Sequence, residues 1–218
     1  MRKIVALLLT ILLINGCREE VVSDIIVYGN DFESENSNGI SNYLREEFNG
    51  SNVLGSFHAS GFDLSLNTLP EHTFLLVKFD LLIHDAWDGN KVGVDGPDFW
   101  TLQLKDDLRE TKVTDYEFRT TFSTSPCGTV HCVFQSYPNQ YPFSNLPDFQ
   151  RDGSTNGRCF EVRNPESTSI YKIERYIPHE SATAFLSIFD EGKQDNIDTP
   201  SCDESWSIDN LLIRAINR

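Results

Sequence analysis

The sequence predicts an all-β chain, an antiparallel β-sandwich of jelly-roll type with at most one short helix, and three observations carry that expectation. Short segments rich in aliphatic and aromatic residues recur along the 218 residues. Gly, Asn, Asp and Pro separate them, as turns require. No long stretch sustains the 3.6-residue apolar stripe of an amphipathic helix. No internal repeat is visible.

The chain starts MRKIVALLLTILLINGCREE. Arg2 and Lys3 precede an apolar run from Ile4 to Ile14, which is shorter than the roughly 20 residues that span a bilayer. A basic start and a short apolar core describe an export signal, to be excluded from the fold. INGC resembles the bacterial lipoprotein signal, which implies cleavage after Gly16 and acylation, palmitate included, at Cys17. The expected organisation is a signal peptide over 1–16, the lipidated cysteine and a short tether over 17–23, and a β-sandwich domain over 24–218. Because only Arg18 to Ser23 follow the anchor, the domain should sit close to its membrane. The implied location is the bacterial cell envelope, at the outer membrane. Arg18, Glu19 and Glu20 resemble a surface-export signal in some bacteria.

Lys and Arg number 18 against 33 Asp and Glu, a formal net charge of −15. Loss of Arg2 and Lys3 makes the mature chain more acidic still. Such a surface repels nucleic acid and anionic headgroups. Contact with a bilayer must then come from acyl chains, and more than one is needed for stable anchoring.

Within the domain the strand candidates run in order. DIIVYG opens it, before the acidic NDFESE. SNYLREEF is the one helical candidate, with Tyr43, Leu44 and Phe48 on its apolar side. HTFLLVKFDLLIHDAW is the longest strand, and DFWTLQL, YEFRTTFS, HCVFQSY, RCFEV, IYKIERYI, ATAFLSIF and SWSIDNLLIRAI complete the set. Between Pro138 and Arg158 three prolines and two glycines predict a long loop. Its Tyr141, Phe143 and Phe149 could offer rings to a glycan or a protein, or pin the loop onto the sandwich.

Apart from Cys17 the cysteines are Cys127, Cys132, Cys159 and Cys202. An even number in an exported chain favours two disulfides, with three pairings open. Gly128 in CGTVHC favours a tight Cys127–Cys132 loop, leaving Cys159 with Cys202. Zinc binding with His131 is the weaker alternative, since CxxxxC is not a standard metal spacing.

Acidic residues gather in three places. Asp31, Glu33 and Glu35 alternate and would share a face if the first strand continued. Asp85, Asp88, Asp95 and Asp98 sit among glycines, and Asp203, Glu204 and Asp209 crowd the end of the chain. A hard cation such as calcium relieves gathered carboxylates by oxygen ligation, whereas solvated turns would need no ion. Trp100 and Trp206 alternate with core residues. Trp87, between two aspartates, either stacks on a ligand or caps the sandwich.

DFE near the start and DESWSIDNLLI near the end, bridged by DAWDG and FQSYP, resemble extracellular jelly-roll domains of the concanavalin-like, laminin-G-like and MAM-like kind. The cysteine pattern departs from that of MAM domains. The resemblance implies paired first and last strands and a structural calcium held by Glu33, Asp203 and Asp209, with Asp31 as a further ligand.

Catalytic signatures are weak. DxExE reverses the ExDxE order of sandwich-fold retaining glycosidases, and GxSxG, HExxH and phosphate-loop motifs are lacking. His84 and Asp85 are neighbours in an extended run, so they point to opposite faces. The sequence thus points to a lipid-anchored binding module for a glycan or a surface protein. A structural or assembly component and a carbohydrate-active hydrolase are the alternatives.

Overall fold

The computed structural model describes residues 20–93, 96–106, 116–125, 127, 132–159, 167–192, 202 and 204–218. Among them eleven strands form two antiparallel sheets. The strands are β1 (Ser23–Asn30), β2 (Arg45–Phe48), β3 (Ser51–Phe57), β4 (Gly61–Asn67), β5 (Phe74–Asp85), β6 (Phe99–Lys105), β7 (Tyr116–Thr121), β8 (Gly153–Asn156), β9 (Ser167–Pro178), β10 (Thr183–Glu191) and β11 (Glu204–Asn217). The large sheet runs β2-β3-β11-β5-β9-β8, with β1 also paired to β11, and the small sheet runs β4-β10-β6-β7. The first strand lies against the last, as the resemblance implied.

Side-chain alternation builds the core. On β5, Leu75, Val77, Phe79, Leu81 and Ile83 face inward and are buried, while Lys78 and Asp80 face out. On β4, Phe62, Leu64 and Leu66 oppose them from the small sheet, together with Leu186 and Ile188 of β10 and Trp100, Leu102 and Leu104 of β6. Each fully buried aliphatic or Phe side chain stabilises the fold by about 1.5 to 3 kcal/mol. Trp100 and Trp206 meet edge to face across the sandwich, with centroids 6.0 Å apart. A bulge between Asp209 and Leu212 shifts the β11–β5 register, and Asn210 absorbs it at φ 55°. Inward parity is therefore kept on both sides: Trp206 and Ile208 before the bulge, Leu211, Ile213 and Ala215 after it.

Several expectations are corrected. SNYLREEF forms no helix: Arg45–Phe48 pairs with Ser51–Phe57 as a hairpin, because a partner strand satisfies its backbone and a short isolated helix would not be stable. The first strand ends at Asn30, since Phe32 turns into the core at φ 57°. Asp31, Glu33 and Glu35 are consequently not aligned on one strand face. Among the described residues of HCVFQSY only Gln135 bridges, to Asn145; Arg158 and Cys159 of RCFEV lie in a turn, and its other three residues lie outside the described residues. Within the expected loop the structure places a 3-10 turn, Pro147–Phe149, and strand β8. Both disulfides pair as favoured, Cys127 with Cys132 and Cys159 with Cys202.

The margins of the large sheet fold over its outer surface. Asn49 at the β2–β3 turn donates to Thr155 Oγ1 on β8 at 3.0 Å, although four strands separate β2 from β8 in the sheet. Arg158 grips Glu46 with two parallel bonds of 3.1 and 2.9 Å. Beneath them His84 is fully buried, its ring nitrogens 2.9 Å from Thr168 Oγ1 and Ser207 Oγ. It is a structural crosslink, not an acid–base partner for Asp85. Burial, with the Arg158 charge, holds its pKa down at about 3.

Candidate functional site

Within the segment from Cys132 to Asp152, Tyr137 to Tyr141 lie along the free edge of β7. Tyr137 N and Tyr141 N donate to the carbonyls of Thr121 (3.2 Å) and Arg119 (3.0 Å), and Thr120 Oγ1 donates to Asn139 O at 2.8 Å. Pro138 and Pro142 have no N–H, so the segment covers the edge without inviting another strand. Gln135 anchors it from within. Its Oε1 accepts from Tyr171 OH at 2.9 Å and from Ser123 N at 3.1 Å. Burial raises the Tyr171 phenol to about 12, so it stays a donor.

A second element joins at the same end of the molecule. Asn90 N donates to Phe134 O at 2.8 Å, and Asn90 Nδ2 donates to Phe143 O at 2.7 Å. Gly89 makes that approach possible: at φ +57°, a Cβ there would stand 2.3 Å from Phe134 O. The 3-10 turn is fixed by Asp148, which accepts from Cys127 N at 3.3 Å and pairs with Arg151 at 3.0 Å. This well-bonded backbone presents unburied apolar side chains. Phe149 is 79% exposed, Phe143 60%, and Val92 82%, with Phe134 and Leu146 also exposed.

The expected ligand-contacting rings divide accordingly. Phe143 and Phe149 face solvent. Tyr141 is more enclosed, meeting Phe99 edge to face at 5.0 Å, while the Arg119 guanidinium covers Phe99 at 3.4 Å and pairs with Glu191. Trp87 is corrected: it is buried, its Nε1–H donates to Ser205 O at 3.0 Å, and no face is left for a ligand.

The acids expected to hold calcium were Asp31, Glu33, Asp203 and Asp209. Glu33 and Asp209 do approach a common point, Ser51, whose Oγ lies 2.8 Å from Glu33 Oε1 and 3.4 Å from Asp209 Oδ2. Asn52 gives Glu33 two more bonds, from its backbone N at 3.0 Å and Nδ2 at 2.8 Å. These donors, the Asn52 side chain foremost, lower the Glu33 carboxyl to about 2. Asp209 is raised, chiefly by burial and then by the charges of Asp80 and Glu33. Asp31 turns away to cap Glu33 N at 3.2 Å, and Asp203 lies outside the described residues. Among the described residues no three Asp, Glu, His or Cys side chains converge on a metal position.

The central acids serve the fold. Asp98 Oδ2 accepts from Asp88 N at 2.7 Å and Asp88 pairs with Lys91 at 3.0 Å, while Asp85 and Glu204 are buried neighbours across β5 and β11. Asp95 and His131 lie outside the described residues, as does Cys17. Sequence reasoning missed Asp190, a buried carboxylate with four donors: the backbone N–H groups of Ala59, Ser60 and Gly192, and the Trp206 indole. Its signal was available, since Asp190 shares the inward parity of Ala184, Leu186 and Ile188.

No protein-family model matches this chain, and no curated protein matches it either.

Proposed function

We propose that this chain is a lipid-anchored cell-envelope binding module, tethered through acylated Cys17, that engages a surface protein through the loop surface around Phe143 and Phe149. The observation that carries the reading is the group of exposed apolar side chains on a backbone held by hydrogen bonds and a disulfide. Scattered surface hydrophobes are ordinary, but several gathered on one ordered surface favour a partner. Their breadth favours a protein over a sugar, which would take a narrower aromatic groove. The pairing of β1 with β11 supports, at the level of architecture, the likeness to laminin-G-like and concanavalin-like domains. A hydrolase is not supported, because Asp31, Glu33 and Glu35 do not share a strand face.

A glycan reading draws on a separate observation. The solvent side of the small sheet carries a depression of about 330 Å³ lined in part by Asp63, Gln103, Ser187 and Phe189, whose polar groups and ring suit a sugar. The two readings separate in one experiment. Envelopes are solubilised in mild detergent and the protein isolated as wild type, as Phe143→Ser/Phe149→Ser, and as Phe185→Ser on the small-sheet surface. A protein that accompanies wild type and Phe185→Ser but not the double variant supports loop docking. Unaltered recovery with the double variant contradicts it. Glycan-array binding that Gln103→Ala abolishes would select the second reading.

A further inference from the structure

Apart from Leu44 beside β2, the apolar side chains left exposed elsewhere collect at the opposite end of β5. Val22 is 74% exposed and Ile26 62%, with Val21 and Tyr176 near half. Register places them together. Ile26, Arg214, Leu76 and Tyr176 form one row across β1, β11, β5 and β9 on the outer surface of the large sheet. Val22 N bonds Asn217 O at 2.9 Å, and the Arg218 guanidinium lies 5.6 Å from the Phe74 ring and 5.7 Å from that of Tyr176. Charge is neutralised locally: Arg214 pairs with Asp24 at 2.8 Å and Lys78 with Glu174 at 2.7 Å. On a chain of net charge −15, Asp24 and Glu174 on this sheet surface are each matched by a cation.

We infer that this corner is the membrane-facing surface of the protein, and that its occupant is the bilayer holding the acyl chains of Cys17. The inference rests on the lipidation proposed above. Four residues lie between Cys17 and Val22, so even a fully extended tether of five Cα steps reaches only about 18 Å. Val21, Val22, Ile26 and Tyr176, with Ile25 beside them, are therefore the exposed apolar groups within reach of the headgroups. Aliphatic side chains flanked by Tyr and Arg suit that layer, where an apolar body and a polar tip are both solvated. Glu71 and Glu180, exposed in the flanking turns, keep the contact superficial. The twelve-residue strand β5 then acts as a spacer of roughly 36 Å, presenting the Phe143 and Phe149 surface away from the membrane.

Trp87, Trp100 and Trp206 are all buried, so an added surface tryptophan reports its own surroundings. The lipidated full chain, carrying Ile26→Trp, Tyr176→Trp or Phe149→Trp, is reconstituted into phosphatidylcholine vesicles with plain or brominated acyl chains. Contact about 5 to 10 Å into the headgroup boundary should make emission from positions 26 and 176 roughly two-fold lower in brominated vesicles. Position 149 should not change, and added salt should leave the pattern intact. A chain that floats with the vesicles but shows no quenching at 26 and 176, or equal quenching at 149, overturns the membrane-facing assignment alone. A blue shift at 26 that depends on protein concentration and ignores bromine assigns the corner to a second copy and overturns it too. A chain that does not float overturns the anchor, and this inference with it.

Discussion

Trp206 donates its indole N–H to Asp190 Oδ1 at 2.8 Å, joining β11 of the large sheet to β10 of the small one inside the core. The same carboxylate accepts the N–H groups of Ala59 and Ser60, at 2.8 and 3.0 Å, and so holds the β3–β4 turn as well. Removing it leaves buried donors unsatisfied. Asp190→Ala should lose about 3 kcal/mol in denaturant unfolding. Asp190→Asn should lose less while still falling short of wild type, because an amide offers one acceptor oxygen where the carboxylate offers two.

His84 and acid meet at the fold-over of the large sheet. Its pKa of about 3 in the fold lies below the ordinary 6.5, so the unfolded chain takes up the proton first. Stability from this group is complete above the unfolded value and is lost as pH falls through that window. His84→Gln should flatten the pH dependence of unfolding there while lowering stability at neutral pH. A wild-type imidazole that titrates near 6.5 by NMR would contradict the buried neutral ring.

Glu33 and Asp209 should respond in opposite senses. Glu33 is held at about 2 against an ordinary 4.5. Its contribution is present above 4.5 and fades as pH falls toward 2, and Glu33→Gln should remove that dependence. Asp209 is raised by burial and neighbouring charge, so its ionised form works against the fold at neutral pH. Asp209→Asn should raise the unfolding midpoint equally in chelator and in calcium. A lowered midpoint that calcium alone restores in the wild type would return the cation to this site.

The two disulfides should differ in weight. Cys159–Cys202 spans a separation of 43 residues and Cys127–Cys132 one of 5. Loop-closure entropy assigns them about 4 and about 2 kcal/mol respectively. Paired Cys→Ala variants, compared by denaturant unfolding, should preserve that order. Loss of Cys127–Cys132 should also weaken partner recovery, since Cys127 N bonds Asp148 beside Phe149.

Long apolar runs made β5, β9, β10 and β11 legible, because burial on one surface writes its own alternation. SNVLGSF and GFDLSLN were overlooked as β3 and β4 since Ser, Asn and Gly dilute the pattern. Yet Phe62, Leu64 and Leu66 alternate without a gap. REEF reads as helix by propensity, but the β3 partner and the Arg158 grip on Glu46 decide it. Trp87 is set by tertiary packing: its neighbours Asp85 and Asp88 suggest a surface, and only the fold shows Ser205 O waiting for the indole. Phe143 and Phe149 were legible as candidates because their loop carries three prolines. Their exposure was not, since nothing local separates them from the more enclosed Tyr141.

A photo-crosslinking amino acid placed at Phe143 or Phe149 in the living cell tests the central claim most directly, with Phe185 as the comparison on the small sheet. Both loop positions should trap the same discrete protein adduct, and Phe185 should trap none. If the loop positions yield no adduct, or all three sites yield the same one, the loop surface is not the docking site.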